Sequence, residues 1–211
     1  MTEIKIIRHG QTAWNTGEIY RGRTDIELDE TGLKQAELLS DHLKNTPIEA
    51  IFSSPLKRAL ATAGAIARHH DNAQLETRQD IIDFNYGDWQ KLTRSDVMGK
   101  YPEVYRKWVT SPHTVKIPGG ESLDGVRSRV LNIVKEIIEN YRGSVLVVAH
   151  RVVNKVLICA LLGLDNAHFW NIRQDTCGIT TFHFEEEQFI LTEHNNTCFL
   201  KPIQAGDPLD F

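Results

Sequence analysis

The sequence predicts an α/β protein, a three-layer α/β/α sandwich around a mostly parallel, mixed sheet of about six strands, and three observations carry that expectation. Short apolar runs alternate along the chain with longer stretches of helical period, the order of elements that a layered domain with a parallel sheet produces. The runs are rich in β-branched residues and Leu, as strands covered on both faces are. Two runs near the C-terminus, 178–184 and 188–194, flank the polar EEE at 185–187 and read as an antiparallel hairpin closing one edge of the sheet. A length of 211 residues, 41% hydrophobic and 25% charged, suits one domain spanning 1–211.

Taken in order, residues 4–7 form the first buried run. Leu33, Ala36, Leu39 and Leu43 then recur at helical spacing behind Thr31, an N-cap residue type, and Asn45 with Pro47 marks the exit. Residues 48–52 make the second strand, and Pro55, at a first-turn position, opens a helix that runs to Arg68. Residues 84–120 break the rhythm: Trp89, Tyr101, Tyr105 and Trp108 cluster with Pro102, Pro112 and Pro118, and the period is only loosely helical, which predicts a small helical insertion or lid within the domain. Residues 122–141 carry the clearest apolar stripe, with Ser122 as cap. The strand SVLVVA at 144–149 follows, then an apolar helix over 152–162 that Gly163 can end.

Composition narrows the partners. Lys plus Arg is 24 against 28 Asp plus Glu, a net charge of −4, which argues against nucleic acid or an anionic membrane surface as partner. An anionic small molecule would need a local basic pocket. No run of 18 apolar residues occurs and MTEIKIIRHG has no charged-then-apolar leader, so no membrane span or secretory signal is read and a cytoplasmic location is expected. Cys159, Cys177 and Cys198 are widely spaced and odd in number, giving neither a disulfide framework nor a metal knuckle. The hairpin edge is free to pair with a second copy, which would make a homodimer.

Three strand ends carry groups that could do chemistry. The first strand runs directly into Arg8, His9 and Gly10, and in open α/β sheets ligands bind beyond the carboxyl ends of the strands. Strand 144–149 ends at His150, followed by a helix whose first amide groups can face an anion. Strand 48–52 leads into Ser53-Ser54-Pro55-Leu56-Lys57-Arg58, which puts Arg58 in a first helical turn, where the helix dipole disfavours a cation unless it faces an anion. A single histidine or arginine is more often a packed or surface group; four at three strand ends point to a site. His69 and His70 close a helix and His183 fits strand alternation. HExxH, GxGxxG and GxxxxGK[ST] are absent, so no metal and no cofactor is expected.

Two imidazoles and two guanidiniums suit phosphoryl transfer, where charge on three equatorial oxygens must be held and a neutral imidazole nitrogen can attack. The departing alkoxide needs a proton donor that is protonated near neutral pH. Asp83, at the end of segment 75–83 and just before an aromatic stretch, is the candidate, with Asp80 the alternative on spacing alone.

These residues resemble the histidine phosphatase superfamily, particularly the branch that holds cofactor-dependent phosphoglycerate mutases and small-molecule phosphatases. The string from Ile7 through Arg8, His9, Gly10, Gln11, Thr12, Ala13 and Trp14 to Asn15 is similar to the family signature. Gly22-Arg23-Thr24-Asp25, the block from Ser53 to Ala59, the segment from Asp83 to Trp89, Pro118-Gly119-Gly120-Glu121-Ser122 and Val147-Val148-Ala149-His150 follow in family order, from about residue 4 to 200. The resemblance implies that His9 becomes phosphorylated, that Arg8, Arg58 and His150 hold the phosphoryl group with Asn15 as an amide donor, and that Thr12 and Arg21 approach the substrate beside Gly10. It also selects Asp83 over Asp80, because Asp83 stands four residues before Gly87. The family's carboxylate is usually Glu, so Asp83 shortens the reach, and the residue after the second histidine is usually Gly, whereas here Arg151 either meets a second anionic group or points to solvent. The implied function is a metal-independent phosphatase for a small phosphate monoester. Mutase chemistry is the alternative within the family, disfavoured by a short 90–118 segment without an Arg-Arg pair, and a non-catalytic phospho-ligand module is the alternative outside enzymes. Trp89, Tyr101, Trp108, His113 and Lys116 either line the leaving-group side or form an aromatic minicore.

Overall fold

The computed structural model describes residues 1–203, so residues 204–211 of the expected 1–211 domain lie outside the described residues. Among the described residues the strands are β1 (Thr2–Arg8), β2 (Ala50–Ser53), β3 (Gln74–Thr77), β4 (Ser144–Ala149), β5 (Ile179–Glu185) and β6 (Gln188–Asn196), and they form one sheet in the order β3-β2-β4-β1-β5-β6. β1, β2, β3 and β4 run parallel to one another; β5 is antiparallel to β1, and β5 and β6 close that edge as an antiparallel hairpin. The helices are α1 (Ala13–Thr16), α2 (Glu30–Leu43), α3 (Lys57–Ala67), α4 (Arg94–Lys100), α5 (Pro102–Thr110), α6 (Leu123–Asn140) and α7 (Arg151–Leu161), none of them long and apolar enough to cross a membrane.

Alternation within the strands divides the core into two layers. Ile51, Leu146 and Val148 face α2 and α3 through Leu39, Ala63 and Ile66. Ile6, Phe52, Val145 and Val147 face α6 and α7 through Val130, Ile133 and Val156. With side chains buried on both faces, β4 reads as a continuous apolar run.

Two local expectations need correction. α2 is capped by Asp29, whose carboxylate accepts from Gly32 N at 2.8 Å, and Thr31 lies inside the first turn. Both are cap residue types, and the side chain that reaches the free amide decides between them. α3 begins at Lys57 with Leu56 in the cap position, so Pro55 precedes the helix. Segment 84–120 is helical in part, as α4 and α5, and it is built into the core: Trp89 and Trp108 are buried among the residues that pack on α6 and α7.

Register positions the site. Arg8 pairs with Ala149 and Ser53 with Val148, so His9, Ser54 and His150 leave the sheet at one rim, where the parallel strands end.

Candidate active site

The rings of His9 and His150 lie 5.2 Å apart between centroids, and both residues are buried together with Arg8 and Arg58. The four groups singled out at three strand ends are thus brought together. Close packing at the base of α2 explains how His9 is held: a Cβ on Gly10 would stand 2.6 Å from the Gly32 carbonyl oxygen, so only glycine fits there. The Gly10 amide donates to Thr62 Oγ1 at 3.1 Å, and its carbonyl accepts from His9 Nδ1 at 2.6 Å. A carbonyl can only accept, so Nδ1 carries the proton and Nε2 presents a lone pair. Burial, followed by the positive charge of Arg58, the competing His150 ring, and the charges of Arg8 and Arg21, holds the pKa of His9 well below its ordinary value, so the ring is neutral.

His150 is set by Ser54. Ser54 Oγ lies 2.7 Å from His150 Nε2 and accepts from Leu56 N at 3.3 Å. Ser54 is fully buried, and among the described residues its hydroxyl proton has no acceptor other than His150 Nε2. The hydroxyl therefore donates to Nε2, and the proton of neutral His150 sits on Nδ1, 3.5 Å from Asp83 Oδ2 and in no hydrogen bond of its own. Burial and then Arg58, Arg21, Arg129 and Arg8 keep this ring neutral as well. Its Nδ1–H is a donor available to a ligand oxygen.

Asp83 is buried against the same groups. Its Oδ2 accepts from Arg58 Nη2 at 2.8 Å, and its Oδ1 from Phe84 N at 2.8 Å. Arg58 also donates to the carbonyls of Gly22 and Thr24, which ties the loop after α1 to the site, while its Nε is buried without a hydrogen-bond partner. Asp80 stands elsewhere: its carbonyl accepts from Arg129 and its carboxylate from Asn132, both on α6. Arg8 Nη1 donates to Gln174 O at 2.7 Å, and Gln174 is held by Asn154 and Thr180.

A cleft of about 510 Å3, counted out to its open mouth, rises from His9 and Asp83 and is walled by Glu18, Tyr20, Arg21, Gly22, Tyr86, Arg94 and Arg151. Arg21 and Arg151 thus face the cleft. Thr12 and Asn15 close on each other instead, with the Thr12 amide and hydroxyl donating to Asn15 Oδ1 at 2.8 and 2.9 Å. Trp89, Tyr101, Trp108, His113 and Lys116 do not line the cleft; Trp89 and Trp108 form an aromatic minicore with Phe84 and Phe169, and His113 and Lys116 are exposed. Glu18, Tyr20, Tyr86 and Arg94 were missed in the sequence. Arg94 had a readable signal: it opens a helix, the position that drew attention to Arg58. Among the described residues no three His, Cys, Asp or Glu side chains are grouped as a metal site requires.

Comparison with known proteins follows this geometry. A profile of the histidine phosphatase superfamily (branch 1) matches residues 4–197. Phosphoserine phosphatase 1 of Hydrogenobacter thermophilus is 37% identical over 201 residues, which cover 95% of each chain. The metal-independent phosphoserine phosphatase of Arabidopsis thaliana is 28% identical over 207 residues, 96% of this chain and 85% of that one. Among solved structures, YhfR of Bacillus stearothermophilus superposes with a TM-score of 0.90 at 25% identity, over 95% of this chain and 100% of that one.

Proposed function

Since the chain belongs to branch 1 of the histidine phosphatase superfamily, we propose that it hydrolyses a small phosphate monoester through a phosphohistidine on His9, within one domain and without a metal. That it is a phosphoric monoester hydrolase follows from the named phosphatases it is similar to along nearly its whole length. The observation that carries the mechanism is the neutral His9 ring, whose Nδ1–H is fixed on the Gly10 carbonyl beside Arg8, Arg58 and His150.

His9 Nε2 attacks phosphorus in line, the bond from phosphorus to the ester oxygen breaks, and the Asp83 carboxyl proton passes to the leaving oxygen. Asp83 lines the cleft together with His9, which places its carboxyl to carry that proton. Arg8, Arg58 and His150 Nδ1–H hold the equatorial oxygens, supplying in fixed dipoles and charges the stabilisation a metal would otherwise give. Asp83, now a carboxylate, takes a proton from water, whose oxygen attacks phosphorus. The bond to Nε2 breaks, and His9 returns to its neutral form with Nδ1–H unchanged. O-phosphoserine is the first ester to test, from the names of the relatives.

Hydrolysis of p-nitrophenyl phosphate is expected to persist in EDTA and to fall at least about a thousandfold in His9→Ala, the scale of removing a nucleophile. Activity that survives the substitution removes the mechanism. With 3-phosphoglycerate and its bisphosphate primer, free phosphate is expected as product; an isomerised ester would make the protein a mutase.

A further inference from the structure

We propose that Glu121, with Arg23 and Arg129, forms a positioning cluster that fixes the main chain at Asp83 so that its carboxyl meets the leaving oxygen. The proposal deepens the phosphatase reading and rests on Asp83 being the proton donor. Residues 83–86 belong to no helix or strand, so no ladder or helical turn holds Asp83 in place. Groups from outside the loop hold it instead. The Asp83 carbonyl accepts from Arg23 Nε at 3.2 Å and from Arg129 Nη2 at 3.4 Å. Both guanidiniums are joined to the Glu121 carboxylate: Arg23 Nη2 donates to Oε1 at 3.0 Å, and Arg129 Nε and Nη2 donate to Oε1 and Oε2 at 3.2 and 3.3 Å. Glu121 also grips the loop just beyond, where Asn85 N donates to Oε2 at 2.8 Å and the Asn85 carbonyl accepts from Glu121 N at 2.9 Å. On the other flank Arg129 Nη1 donates to the Asp80 carbonyl at 2.6 Å.

A hold on the main chain does what the side-chain contacts of Asp83 cannot. Its carboxyl is bound through Arg58 Nη2 on Oδ2 and Phe84 N on Oδ1, and both bonds are strongest to a carboxylate. When the carboxyl takes up a proton, the charge-assisted bond to Arg58 weakens, and the bonds to the Asp83 carbonyl do not. An aspartate carboxyl is separated from its Cα by one methylene, so wherever the main chain moves the carboxyl follows. An isolated exposed ion pair would fix little. Here the Arg129 and Glu121 side chains are only 15% and 20% exposed, and each makes several bonds within one network. Removing the charge of Glu121 leaves two guanidiniums side by side with no carboxylate between them, and their repulsion bears directly on the Asp83 carbonyl.

Leaving-group dependence reads the effect. Nitrophenolate departs from p-nitrophenyl phosphate with little need of a proton, phenolate departs from phenyl phosphate with more, and kcat/KM covers only the steps up to that departure. The ratio of kcat/KM for the first ester to that for the second is expected to rise about a hundredfold over the wild type in Asp83→Asn, the low end for a lost general acid. In Glu121→Gln it should rise about tenfold, the scale of a misplaced one, and Glu121→Asp, which keeps the charge, should recover part of that. Both esters meet the same sample, so any fraction that fails to fold cancels from the ratio. Glu136→Gln is the control: Glu136, on α6, pairs with Arg78 at 2.8 Å and so ties α6 to the chain upstream of Asp83, and its loss should leave the ratio at the wild-type value. A ratio that rises in Asp83→Asn but not in Glu121→Gln, or that rises as much in Glu136→Gln, overturns the positioning role and leaves the phosphatase reading standing. A ratio unmoved in Asp83→Asn removes Asp83 as the proton donor, and the role of the cluster with it.

Discussion

Ser54 contributes no atom to the proposed bond changes, yet it decides which nitrogen of His150 carries a proton. With the hydroxyl donating to Nε2, the Nδ1–H points toward Asp83 and the space above His9. Ser54→Ala removes that donor and frees the ring to take the other tautomer, which turns a bare lone pair toward a bound phosphate oxygen. The expected loss is about tenfold in kcat/KM, the worth of one hydrogen bond to a charged group, with Ser54→Thr retaining most activity because it keeps the hydroxyl. Imidazole nitrogen shifts measured by NMR should move from the Nδ1–H pattern in the wild type toward Nε2–H in Ser54→Ala; an unchanged pattern would show that something else sets the tautomer. Arg8, His9, Arg58 and His150 were legible as a set because each stands within a few residues of a strand end. Ser54 was not, since its role exists only once β2 and β4 lie side by side and bring positions 54 and 150 into contact.

The contact between the loop after β1 and the start of α2 governs how His9 is presented. Gly10 and Gly32 let the two backbones touch, and Asp29 locks the junction by accepting from both Gly32 N and the Gln11 side chain. A Cβ on Gly32 would be driven into the Gln11 carbonyl, which is backbone and cannot rotate away. Gly32→Ala is therefore expected to displace the loop carrying Gly10, loosen the hold on His9 Nδ1, and cost at least about tenfold in kcat, since misplacing a reacting group by about 1 Å has effects of that order or larger. A far-ultraviolet spectrum like that of the wild type, together with the lost rate, would locate the damage in the loop; a wild-type rate would show that the junction has slack. Elements with one strong signal were readable, as β4 and α6 were from their apolar patterns. β3 was not assigned as a strand, because its four residues, Gln74–Thr77, include one apolar side chain and no alternation long enough to register. Part of the cleft wall comes from loop residues such as Glu18 and Tyr20, which have no period at all.

Whether residues 84–120 behave as a lid or as part of the body is a property of the whole molecule. Trp108 is 2% exposed and touches rings from both sides of the segment boundary: Phe84, Tyr86 and Trp89 within it, Phe169 and Trp170 beyond α7. The Trp170 indole also donates to the Trp108 carbonyl at 2.8 Å. A hinged lid would make few such contacts and would open at little cost, whereas here opening would expose the aromatic layer that also backs Tyr86 in the cleft wall. Trp108→Ala should accordingly cost about 3–5 kcal/mol, the range for emptying a large aromatic site, and lower Tm by about 10 °C at this chain length. Unfolding followed by tryptophan fluorescence, to which Trp89 and Trp108 of the segment contribute alongside Trp14 and Trp170, and by circular dichroism, which reports the helices and sheet, should give coincident midpoints in urea for both wild type and variant. A fluorescence transition that precedes the loss of secondary structure would mean that the segment lifts away as a unit, and the wall of the cleft would then be a moving part and not a fixed one.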